Sequence, residues 1–224
     1  MELSDDIVAA INSLCDEWNR AEKAIKIAEQ INGEIINPSI YELRYGGRRI
    51  VEAFTYLKDG DEEKALCVLR DAEFDCCRAR HDSIDAATSK VASDLDIAQN
   101  KLGVDVVVTA FPDFPLLIAD LGEVRDKIAE SRENRDDRNL IYATIQRDNL
   151  EEIARKYHAF RANESVMKQY AKKQRAEKTF HRLTTFASII IAAAALFYAI
   201  YHDNNIQSPQ ARTPAMQQPA KSGN

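Results

Sequence analysis

Apolar side chains recur along this chain with helical spacing almost from its first residues. Ile7, Ile11, Leu14, Trp18, Ala21, Ile25 and Ala28 alternate at intervals of four and three, the seam of an amphipathic helix, with Ser4 placed as its N-cap. That spacing predicts a first helix from Asp5 to Ile31, closed by Asn32-Gly33. Asn37-Pro38 supplies a cap and a first-turn proline for a second helix, whose seam reads Ile40, Leu43, Gly47, Ile50, Phe54 and Leu57 and which stops at Asp59-Gly60. A third helix is expected after Asp61 and as far as Leu102, ended by Gly103. Within it the step from Ala79 to Ile84 is five residues, which calls for a kink or a change of face near His81-Asp82-Ser83.

Val104 to Ala110 is β-branched, yet a single short run lacks a strand partner and reads as a helical connector. Phe111-Pro112 and Phe114-Pro115 force a corner. Leu117, Leu121, Val124 and Ile128 mark a fourth helix, and the alternating charges of residues 131 to 139, SRENRDDRN, form either a solvated helical rod or a turn. From Leu140 a last helix carries Leu150, Ile153, Tyr157 and Phe160. Neither Gly nor Pro interrupts residues 140 to 201, so the simplest expectation is one helix of up to 62 residues.

The pattern changes at residue 183. LTTFASIIIAAAALFYAIY, residues 183 to 201, holds no charge in 19 positions. As a helix it spans about 28 Å, close to the hydrocarbon thickness of a bilayer. The mean hydropathy of -0.40 conceals this segment. Seven Gly and six Pro in 224 residues leave few turn signals, which disfavours sandwiches, barrels and alternating α/β folds. The expected fold is all-α: an elongated bundle of long antiparallel, coiled-coil-like helices, the last continuing into a single C-terminal transmembrane helix. Its parts are a cytosolic domain over residues 1–160, a basic juxtamembrane helix over 161–182, the membrane helix over 183–201 and a disordered Pro- and Gln-rich tail over 202–224.

Charge sharpens that division. Residues 1 to 160 hold 21 basic and 33 acidic side chains, whereas residues 161 to 182 hold seven basic and two acidic ones. The acidic body argues against nucleic acid as a partner, and the collar of Lys168, Lys172, Lys173, Arg175, Lys178 and Arg182 suits anionic lipid headgroups. Because these cations crowd the N-terminal flank of the apolar run, the positive-inside rule places the body in the cytoplasm. The first residues lack the basic-then-apolar pattern of a cleaved signal. The membrane would be the inner one in a bacterium, and anchoring would be post-translational in a eukaryote. Small residues four apart, such as Ser188 with Ala192 and Ala195 with Ala199, fit close packing of membrane helices and hence self-association.

Candidate chemistry is sparse. Cys15, Cys67, Cys76 and Cys77 lie in helical patterns of a cytosolic domain and are expected to be reduced thiols. Cys77 and His81 share a helix face, but two ligands do not complete a zinc site, so neither metal nor cofactor is implied. His81 with Asp85 could form an oriented base, although the usual enzyme motifs are absent and no catalytic role is assigned. The densest polar stretch is YELRYGGRR, residues 41 to 49. Gly47 on the second helix's seam would admit a close neighbour such as Trp18, while Arg44, Arg48 and Arg49 could join Arg78, Arg80 and His81 in a pocket for an anionic or nucleotide ligand. Acids nearby offer each of these cations an ion pair instead. The favoured expectation is a non-enzymatic, membrane-anchored helical protein that binds a protein partner or itself; the alternative is an effector that responds to an anionic small molecule.

Overall fold

The computed structural model describes residues 3–206, which form helices joined by short turns, with no strand among them. The Pro- and Gln-rich tail falls largely outside the described residues. In chain order the elements are α1 (Asp5–Asn32), α2 (Asn37–Lys58), α3 (Glu62–Leu102), α4 (Val104–Ala110), α5 (Phe114–Glu133), α6 (Arg138–Ile145), a π-helical turn (Gln146–Leu150), α7 (Glu151–Ala162) and α8 (Glu164–Ile206).

Local chemistry explains most boundaries. Gly33 closes α1 in the left-handed region at φ 73°, its N–H donating to the Glu29 carbonyl at 2.7 Å. Asp61 caps α3 by accepting from the Lys64 N–H at 3.2 Å. Two expected caps differ: Ser4 occupies the N-cap of α1 without a side-chain bond, and Ile36 rather than Asn37 precedes α2. The charged segment after α5 is a turn, since Asn134 ends α5 and α6 begins at Arg138.

One compact unit extends to Ala171 and contains two hydrophobic clusters. The first joins α1 through Ile7, Leu14 and Ala21, α2 through Ala53 and Leu57, and α3 through Leu69, Ala72, Cys76 and Ala79. The second gathers Ala28 and Ile31 of α1, Ile84, Val91 and Leu95 of α3, Phe114 and Leu117 of α5, and the faces of α6, α7 and Met167. Helix α3 serves both clusters without interruption, and Ala79 belongs to one while Ile84 belongs to the other. The five-residue step is therefore a change of face: advancing five positions on a 3.6-residue helix turns the apolar side toward a new neighbour.

Helix α2 packs on a different stripe from the expected one. Ser39, Gly46, Ala53 and Leu57 are its buried positions, whereas Ile40 and Phe54 are exposed. Small residues seven apart let α3 come close, and a Cβ on Gly46 would stand 3.3 Å from the Ala72 carbonyl oxygen. Gly47 lies one position off this stripe, where a Cβ would meet Trp18 at an ordinary 3.8 Å.

The expected unbroken final helix is interrupted twice. Ile145 and Leu150 are both buried although five residues separate them, and the π-helical turn between them absorbs the extra residue. Its buried Gln146 donates to the Arg20 carbonyl at 2.7 Å. At Asn163 the chain leaves α7, the Asn163 side chain donating to the Ala159 carbonyl at 2.9 Å, and α8 starts anew.

Lys172 begins a second unit, which carries most of α8. This helix is long and apolar enough to cross a membrane, and the residues of its uncharged run are all exposed. Thr184, Thr185 and Ser188 return their hydroxyls to backbone carbonyls one turn earlier, at 2.8 to 2.9 Å, so they present no unpaired donor to an apolar surrounding.

Candidate functional site

Of the six side chains expected to share one anion pocket, the structure brings only Arg78 and His81 to one groove. Arg44 lies over the rings of Tyr41 and Tyr45, 5.5 and 5.6 Å from their centres. Arg48, one turn on, is exposed, and neither Arg44 nor Arg48 forms an ion pair among the described residues. Arg49 turns back toward α3 and contacts Asp71 and Asp75, each at 3.3 Å. Since residues i and i+1 on a helix point about 100° apart, Arg48 and Arg49 cannot serve one site.

Arg80 is structural. Among the described residues it is the largest fully buried side chain, 1% exposed, and lies where the two hydrophobic clusters meet. Its guanidinium pairs with Glu17 of α1 at 3.0 Å and donates to the Asn139 carbonyl of α6 at 3.1 Å. Burial raises the Glu17 carboxyl above its ordinary value, with Arg80 and Arg20 opposing. Around this pair, Ser83 donates to Ser39 at 2.8 Å, tying α3 to α2. The neighbouring thiols are sealed in, burial pushing Cys76 and Cys77 up to about 12, far from a reactive thiolate.

His81 is 5% exposed and stacks on Tyr142, the ring centres 4.0 Å apart. Burial first, and then the charges of Arg80 and Arg138, push its imidazole down to about 3, so it is neutral near pH 7. Asp85 is not its partner. That carboxylate accepts from the Tyr142 hydroxyl at 2.7 Å, which leaves His81 without the orienting acid that a general base requires. The His81 Nε2 has no hydrogen-bond partner.

Arg78 pairs with Glu42 at 2.8 Å and, together with His81, lines a groove of about 560 Å³ completed by α6 and the turn before it. Three further arginines enter that groove: Arg132, Arg135 and Arg138. They belong to the alternating-charge stretch whose sign pattern reads as a solvated surface, and only the turn at residues 134 to 137 gathers them. A visible signal was their spacing, an arginine at every third position.

The collar residues Lys168, Lys172, Lys173, Arg175, Lys178 and Arg182 all lie on α8. Lys168 pairs with Glu164 at 2.7 Å and belongs to the compact unit that ends at Ala171, whereas the other five precede the apolar run in the second unit.

A second surface has a different character. The outward side of α2 exposes Ile40, Tyr41, Tyr45, Val51 and Phe54, the last 62% exposed, with Arg44 and Arg48 among them. Beside it, Leu14, Trp18, Ile50, Phe54 and Leu57 line an apolar groove of about 250 Å³ between α1 and α2. This face is the consequence of the small-residue stripe: when Ser39, Gly46 and Ala53 turn inward, the large side chains of α2 turn outward. No protein family, curated protein or solved structure matches this chain.

Proposed function

We propose that this protein is a membrane-anchored helical interaction protein, with residues 183 to 201 spanning the bilayer and the helical body on the cytoplasmic side. The observation that carries the reading is the uncharged run of α8, exposed along its whole length in a helix long enough to cross a membrane. The lysines and arginines on one flank of that run favour the cytoplasmic side for the body. Within the body, the long helices pack in the manner of an antiparallel coiled-coil bundle, a scaffold for presenting surfaces rather than for catalysis.

The docking surface in this account is the outward side of α2. Its occupant is an amphipathic helix of a protein partner, with apolar residues for the Trp18–Phe54 groove and acids for Arg44 and Arg48. Arg44 and Arg48, which form no ion pair among the described residues, carry the charge complementarity. A photoreactive residue in place of Phe54 tests this in the full-length protein within its native membrane. The expected result is a protein adduct that maps to an acidic helix and disappears in R44E/R48E; adducts with lipid alone, or a protein adduct unaffected by the charge reversal, contradict the reading.

A further inference from the structure

The groove beside α6 gathers cations from α3, α5, α6 and the turn between α5 and α6. Arg78, Arg132, Arg135 and Arg138 line it with His81, Phe74 and Asn139, and no carboxylate is among the lining residues. On a helical protein with more acids than bases, mixed charges ordinarily pair with their neighbours. Here the segment 131 to 139 interleaves Glu133, Asp136 and Asp137 with its arginines, and the turn sorts them: Asp137 accepts from Asn134 at 2.7 Å while Arg132, Arg135 and Arg138 enter the groove.

Two of the four cations are engaged by this chain, Arg78 by Glu42 at 2.8 Å and Arg138 by the Tyr142 ring, 5.9 Å from its centre. Arg132 and Arg135 form no ion pair among the described residues. Asp82, which senses both Arg78 and Arg138, offsets part of the charge without lining the groove. Arg132 also borders the adjoining groove between α3 and α5, so its fork reaches the edge shared by both.

Four guanidiniums around one open groove repel one another, so an anion held by several of them at once would stabilise the arrangement. The side chains between them suit a ligand as well. His81 is 5% exposed, and its Nε2 is a buried nitrogen with no partner in the protein. Phe74 stands at the rim, 54% exposed, with a ring free for stacking. The volume of about 560 Å³ falls within the ordinary range for small-molecule sites.

We propose that this groove binds a phosphoryl-bearing ligand, its oxygens held by Arg78, Arg132, Arg135 and Arg138 over His81. Tetrahedral phosphoryl oxygens match the planar fork of arginine, which can give two parallel N–H bonds to one group. His81 lines the groove beside these guanidiniums and, being neutral, adds no charge of its own. The site is independent of the α2 surface and remains in force whether or not that surface takes a protein.

The test uses the full-length protein in nanodiscs of phosphatidylcholine, titrated by calorimetry with inorganic pyrophosphate and with ATP, and in a third arm compares nanodiscs containing phosphatidic acid. Binding is expected to weaken as salt rises. Because R132Q/R135Q removes two charged hydrogen-bond donors, it should lower affinity by about a hundredfold or more, while R44Q/R48Q should leave it unchanged. Among the described residues neither substituted arginine in the groove makes an ion pair or a side-chain hydrogen bond, and circular dichroism checks that both variants fold.

ATP binding more tightly than pyrophosphate, with the difference lost in F74A, identifies a soluble nucleotide. A response confined to phosphatidic acid and lost in R132Q/R135Q identifies a lipid headgroup. No binding to any of the three probes overturns the proposal, as does equal binding in the folded R132Q/R135Q variant or equal loss in R44Q/R48Q.

Discussion

Glu17 of α1 and Arg80 of α3 meet at 3.0 Å in the layer where one hydrophobic cluster ends and the other begins. A pair this deeply buried gains little net stability over apolar residues of the same shape, but either charge alone is costly. Glu17→Ala in the full-length protein should therefore lower unfolding stability by about 3–5 kcal/mol. The double change Glu17→Leu with Arg80→Met should recover most of that loss, and urea denaturation followed by circular dichroism measures both. A double variant as unstable as the single one would mean that the Arg80 bond to the Asn139 carbonyl matters more than the ion pair.

The two adjacent glycines of α2 should respond in opposite directions. Gly46→Ala pushes a methyl to 3.3 Å from the Ala72 carbonyl oxygen and 3.6 Å from the Asp75 Cβ, and overpacking of this kind costs about 1–3 kcal/mol. Gly47→Ala meets only Trp18 at 3.8 Å, so removing a mid-helix glycine should stabilise by about 0.5–1 kcal/mol. Thermal unfolding of the two variants side by side decides the matter. Equal effects would contradict the packing of α2 on its small-residue stripe.

His81 gives the body an acid sensitivity of known sign. Its pKa falls from 6.5 to about 3 on folding, so the unfolded chain binds the proton more readily. The His81 contribution to stability is whole above pH 6.5 and is lost as pH falls from there toward 3. One proton corresponds to at most about 1.4 kcal/mol per pH unit. Glu17, Glu42, Asp75 and Asp82 are raised by burial, so their contributions run the other way, present at low pH and lost as pH rises through their folded values. His81→Phe keeps the stack on Tyr142 and removes the titration. Stability measured between pH 7 and 5 should fall more steeply in the wild type than in this variant, and parallel curves would contradict a neutral buried His81.

The boundaries of α1 to α3 were legible because they rest on local chemistry: Gly33 and Gly60 at positive φ, Pro38 in a first turn, Asp61 as a cap. The inner side of α2 was not. Large apolar residues at Ile40 and Phe54 read as a seam, but the closest approach of two helices selects the side with the least bulk, and Ser39, Gly46 and Ala53 provide it. The breaks in the last helices lacked a Gly or Pro to announce them. One arises from a mismatch between Ile145 and Leu150 and the other from a side-chain bond of Asn163, and both depend on packing that a one-dimensional pattern does not carry. The arginine groove was hidden for a related reason. Arg78 and His81 stood out in α3, whereas Arg132, Arg135 and Arg138 become their neighbours only through the turn between α5 and α6.

Anchoring by the apolar run of α8 is the claim on which the account depends, and alkaline carbonate extraction of native membranes tests it most directly. The wild-type full-length protein should remain in the membrane pellet. Ile190→Arg, which sets a charge in the middle of the uncharged run at a cost of about 2.5–3.5 kcal/mol, should shift a substantial share into the supernatant. Release of the wild-type protein with the soluble fraction would contradict the account.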